Sequence, residues 1–100
     1  MRITPEQHRH ITGILKKHFG QGSRIWLFGS RINDQAKGGD IDLYLEPEYQ
    51  SAKDIVAARL AAMAELHQTL GDQRIDLVIN RHQGPRQPIY DIAKTSGIEL

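Results

Sequence analysis

The chain has 100 residues and no cysteine, which excludes disulfides and thiolate metal sites and is compatible with a reducing compartment. It has almost no charge excess: 13 Lys and Arg stand against 12 Asp and Glu, a net charge of +1. That balance leaves no electrostatic footprint for nucleic acid or an anionic membrane. It has no apolar run approaching a membrane span. Met1-Arg2-Ile3-Thr4-Pro5 lacks the apolar core of a signal peptide, so the cytoplasm is the expected location. Internal repeats, low-complexity tracts and linkers are missing too. What is left is one globular domain spanning 1–100, large enough for one core and too small for two lobes.

The pattern within that domain alternates between helix and strand. Thr4-Pro5-Glu6-Gln7 opens a helix: Thr4 caps, Pro5 suits the first position and Gln7 completes a capping box. Ile11, Ile14, Leu15 and Phe19 then recur at helical spacing until Gly20 and Gly22 end the element. Ile25 to Phe28 read as a short buried strand, and Gly29-Ser30 turns the chain into a short helix or loop reaching Ala36. After the break at Gly38-Gly39, Asp40 to Glu46 form a second strand, stopped by Pro47. Ser51-Ala52-Lys53-Asp54 starts a long helix, with Val56, Leu60, Met63 and Leu70 expected on its buried face. Ala57, Ala61 and Ala64 are expected to permit close packing, and Gly71 is the stop. Arg74 to Ile79 make a third strand, Arg81 to Gln87 a polar loop, and Pro88 to Ser96 a last helix ended by Gly97. The order is α-β-(α)-β-α-β-α, an α/β (α+β) class.

Three acids stand out within these strands. Residues two apart on a strand share a face, so Asp40 and Asp42 point the same way, roughly 7 Å apart at the backbone. Two anions at the edge of an apolar sheet repel each other and resist desolvation, and a divalent cation removes both costs. Hard oxygen donors that leave room for water and phosphate suit Mg²⁺. The long helix between strands two and three provides a crossover, so these strands are expected to be parallel. Asp76, near the start of strand three, then joins Asp40 and Asp42 at one end of the sheet. Gly29-Ser30, at the end of strand one, reaches the same end only if strand one runs antiparallel to strand two. The expectation is therefore a small mixed sheet, with three carboxylates able to hold two metal ions about 3.5–4 Å apart for displacement at phosphorus. Gly29 lets backbone approach a ligand, Ser30 offers a hydroxyl and an N–H to phosphate, and Arg31 can pair with the same oxygens. No G-x-x-x-x-G-K-[ST] occurs, so this is not a P-loop. Singly, each feature has an ordinary reading: a turn, a local cap at Asp40, or an ion pair of Asp76 with Arg74. The set, in this order and with strand-like flanks, points to metal-dependent chemistry on a nucleoside triphosphate.

Gly29-Ser30-x9-Asp40-x-Asp42, with Asp76 in a later strand, resembles the signature of the polymerase-β-like nucleotidyltransferases. The small size is similar to the minimal nucleotidyltransferase (MNT) branch of that superfamily. The resemblance implies transfer of a nucleotidyl group, usually AMP from Mg-ATP, to an acceptor hydroxyl. It assigns metal binding to Asp40 and Asp42, metal binding or deprotonation of the acceptor to Asp76, and the triphosphate turn to Gly29 and Ser30, with Arg31 a weaker carry-over. Minimal members are commonly paired with a HEPN-domain RNase toxin and act as its antitoxin by adding AMP to a toxin tyrosine. Only about twenty residues follow the third strand, so an open cleft completed by a second subunit is expected.

The remaining candidates carry less. His8 and His10, two apart on a helix, face different ways, and His18, His67 and His82 show no ligand spacing. Arg81 and Arg86 read as loop charges before groups that reach phosphate or a partner, Trp26 as core, and Tyr90 as a packing residue before a partner contact or an adenine platform. Two competing functions stand beside protein nucleotidylation. One is a small-molecule nucleotidyltransferase of the aminoglycoside type, disfavoured by the lack of a second lobe. The other is a non-catalytic antitoxin or binding subunit, disfavoured by the complete set of acids.

Overall fold

The computed structural model describes residues 3–29, 40–71, 73–82 and 85–100. Helix α1 (Pro5–Phe19) begins as the sequence demands. Thr4 Oγ1 accepts from Gln7 N at 3.0 Å, while Gln7 Oε1 accepts from Thr4 N at 2.9 Å. This reciprocal pair satisfies two of the orphan donors at the helix start. Ile11, Ile14, Leu15 and Phe19 are all buried. Strands β1 (Arg24–Phe28) and β2 (Ile41–Glu46) follow, then helix α2 (Ala52–Leu70), strand β3 (Ile75–Ile79), helix α3 (Pro88–Ser96) and strand β4 (Ile98–Glu99). The expected short helix or loop over 30–36 and the break at Gly38-Gly39 lie outside the described residues.

The four strands form one mixed sheet in the order β3-β2-β1-β4. β1 is antiparallel to β2, and β2 is parallel to β3, as the α2 crossover requires. Strand alternation divides the sheet into two faces. Ile25, Leu27, Ile41, Leu43, Leu45, Ile75 and Leu77 point to the face covered by α1 and α2, which holds the larger core. Trp26, Phe28 and Tyr44 point to the other face and pack with Ala93, Ile89 and Tyr90 of α3.

Two features depart from the sequence reading. First, α2 buries Ile55, Ala58, Ala62 and Leu66, not a face centred on Val56 and Leu60. Val56 and Leu60 are 61% and 72% exposed, and Ala57, Ala61 and Ala64 also face outward. Met63 and Leu70 are partly buried at the border of the true face. The helix carries apolar residues on two adjacent stripes. Side-chain size favours the Val56–Leu60 stripe, whereas close approach to α1 favours the alanines. Second, β4 adds a fourth strand that two residues after Gly97 could not announce by any periodicity. It pairs antiparallel with β1, Trp26 opposite Glu99 and Leu27 opposite Ile98, and Leu100 N donates to Ile25 O at 2.8 Å. Arg24 clamps this pair with two 2.9 Å bonds to Glu99.

Candidate functional site

The acids come together because of register. Asp42 lies opposite Phe28 of β1 and opposite Asp76 of β3. Its side chain therefore stands on the α3 face of the sheet, between the end of β1 and the beginning of β3. Asp40 lies just ahead of β2, two residues before Asp42. Ile41 N donates to Arg74 O at 2.9 Å, which fixes the starts of β2 and β3 at one level. Gly29 follows Phe28 at φ +76°, a conformation that L side chains rarely adopt. A Cβ at this position would overlap Oδ2 of Asp42 and stand 3.1 Å from its Cγ. Glycine is thus required at 29 twice over, by the backbone turn and by the carboxylate lying against it.

The electrostatics follow from this crowding. Partial burial pushes the Asp42 carboxyl above the usual carboxylate range. The charges of Asp76 and Asp40, and a side-chain hydrogen bond with Asp76, push it further the same way, while Arg74 opposes them. Arg74 Nε lies 3.6 Å from Asp40 Oδ2 and 3.7 Å from Asp76 Oδ1. Among the described residues it is the one cation in ion-pair contact with either acid. The Asp76–Arg74 pair anticipated from the sequence is present, and it coexists with the convergence of the three acids.

Asp40, Asp42, Asp76 and Gly29 are therefore neighbours, as their sequence positions predict. Ser30 and Arg31, the other two residues of the expected phosphate-binding turn, lie outside the described residues. Among the described residues, no group of three or more His, Cys, Asp or Glu side chains is arranged ready to hold a metal ion. The chemistry of the donor set nonetheless fits one. Three hard carboxylates share one end of a sheet, and Asp42 is held against its own ionisation by burial first and then by the other two. A divalent cation relieves that repulsion.

The sequence did not reveal what holds this face in place from behind. Tyr44, two residues beyond Asp42, is fully buried. Its hydroxyl donates to Glu46 Oε2 at 2.7 Å and accepts from Asn80 Nδ2 at 3.1 Å. Lys94 of α3 reaches the same Glu46 oxygen at 3.1 Å, and His82 lies 3.7 Å from it. Burial pushes the Tyr44 phenol up to about 12. Burial also disfavours ionised Glu46, but the hydrogen bonds from Tyr44 and Lys94 and the charges of Lys94 and His82 outweigh it and lower its carboxyl. The usable signal was position: Asp42, Tyr44 and Glu46 alternate onto one face. Trp26 and Tyr90 are packing residues, as expected, with ring centroids 5.4 and 5.9 Å from Tyr44. Of the loop arginines, Arg81 donates twice to Gln50 O, and Arg86 pairs with Asp91. His18 pairs with Glu65 between α1 and α2 at 2.8 Å, away from the acids.

No protein-family model matches this chain, and no characterised protein matches it in sequence.

Proposed function

We propose that this chain is a magnesium-dependent nucleotidyltransferase. In this reading it transfers AMP from ATP to a hydroxyl, the acceptor being a tyrosine of a HEPN-type RNase toxin in the cytoplasm. The observation that carries the reading is the register that sets Asp42 opposite Asp76 while Gly29 lies against its carboxylate. An isolated acidic turn would not need glycine there, nor would a surface strand hold two carboxylates opposite each other against their repulsion. The choice of acceptor rests on the resemblance of Gly29-Ser30-x9-Asp40-x-Asp42 to the minimal nucleotidyltransferases.

The resemblance supplies the roles, and the placement of the acids at one end of the sheet supports them. Asp40 and Asp42 would hold Mg²⁺, with Asp76 completing the set. An ion held by these carboxylates would neutralise charge on the triphosphate and polarise the phosphorus under attack. Asp76 takes the proton from the acceptor hydroxyl as its oxygen bonds to the α-phosphorus. The bond from that phosphorus to the bridging oxygen breaks, and pyrophosphate leaves. Gly29 lets the chain pass close to this centre without a side chain.

The test uses α-³²P-labelled ATP and Mg²⁺ with the full chain and lysate from its own source, beside the Asp40→Ala/Asp42→Ala variant. A labelled protein band that needs the intact acids is the expected result, and the band identifies the acceptor. ATP binding without any such band would overturn protein nucleotidylation and favour a small-molecule acceptor or action by contact alone.

A further inference from the structure

We propose that Arg74 is the internal counter-ion of the acid cluster, and that a divalent cation binds there by displacing it. This inference rests on the reading of the three acids as metal ligands. Arg74 stands immediately before β3, and its carbonyl is held by Ile41 N at 2.9 Å. The root of the side chain is thus fixed at the level of the acids. The head is not: the side chain is 74% exposed. Its Nε is 3.6 and 3.7 Å from the two carboxylates, beyond hydrogen-bond range. The contact is one of charge alone. Arg24 makes the contrast within the same molecule, gripping Glu99 with two 2.9 Å bonds in fork geometry.

A guanidinium held this loosely stabilises three converging anions yet yields easily. A divalent ion carries twice the charge and bonds the oxygens directly, and two cations cannot share them without repulsion. Arg74 therefore lowers the affinity of the acids for metal while reducing their mutual repulsion when no metal is bound.

Mn²⁺ titration of the full chain without nucleotide, by electron paramagnetic resonance or calorimetry, tests this. Arg74→Met keeps the length of the side chain and removes its charge. It should bind Mn²⁺ about three- to ten-fold more tightly than the native protein, the range expected from removing one exposed competing charge. Arg74→Lys restores the charge and should bind close to the native protein. Loss of a purely structural arginine would instead weaken binding. Equal or weaker binding by Arg74→Met, with Mn²⁺ still bound by the native protein, overturns this inference and leaves the metal reading intact. No Mn²⁺ binding by any of the three proteins overturns the metal reading and this inference together.

Discussion

Asp42 is the residue on which the proposed chemistry turns, and its cost to folding can be measured. Its carboxyl is raised above the ordinary range by burial first, then by Asp76 and Asp40. A group whose folded pKa is raised contributes stability below its unfolded pKa, and that contribution is lost as pH rises through the folded value. At pH 7 the ionised Asp42 is therefore a liability to the protein in chelator. Asp42→Asn should raise the melting temperature in EDTA by about 2–4 °C at pH 7 and leave it unchanged at pH 3, where the native carboxyl is also neutral. A lower melting temperature at pH 7 would show that the carboxylate is held by partners rather than repelled. The presence of Asp42 and its neighbours was legible from spacing alone. Its opposition to Asp76 was not, because a strand's register depends on the partner it meets.

At the scale of elements, the lesson lies in α2. Its two apolar stripes cannot be ranked by hydrophobicity, because the stripe that is buried is the one with smaller side chains. Ala58 and Ala62 let α2 lie close against its surroundings, with Ile55 and Leu66 at the flanks of the contact. Enlarging the contact should hurt more than trimming the exposed stripe. Ala62→Leu, at a fully buried position, should destabilise by about 1–3 kcal/mol through overpacking. Leu60→Ala, at a position 72% exposed, should stay within about 0.5 kcal/mol of the native protein. Urea denaturation of both variants decides between the two faces, and the opposite ranking would restore the face expected from the sequence. The helix starts were readable for a local reason: Thr4 and Gln7 answer each other within one turn, and Ser51 Oγ accepts from Asp54 N. Strand β4 was not readable, because two residues show no alternation and its stability comes from β1 and the Arg24–Glu99 clamp.

At the scale of the whole molecule, the sheet works as a partition. One face is devoted to the core beneath α1 and α2. The other carries the acids at one end and, further along β2, a buried polar network under α3. Tyr44 ties that network together across β2, the residue following β3, and α3, through Glu46, Asn80 and Lys94. Removing its hydroxyl leaves Asn80 and Glu46 short of a partner in a buried setting. Tyr44→Phe should therefore destabilise the protein by about 1–3 kcal/mol, read as a shift of the denaturation midpoint. A neutral result would mean that Lys94 and His82 satisfy Glu46 without the phenol. Among the described residues, no helix is long and apolar enough to cross a membrane.

The sequence by itself determined whatever is local: where helices begin, which strand residues alternate, and which acids fall two apart. It also pointed to the mixed sheet, since the long α2 crossover sets β2 and β3 parallel and bringing Gly29-Ser30 to the end that holds the acids demands β1 reversed. Only the tertiary structure decided which stripe of α2 is buried, that β4 exists, that Gly29 abuts the Asp42 carboxylate, and that Arg74 faces two of the three acids. The reason is common to all four. Each depends on distances between segments far apart in the chain, and these are set by close packing and strand register rather than by the preferences of any single segment.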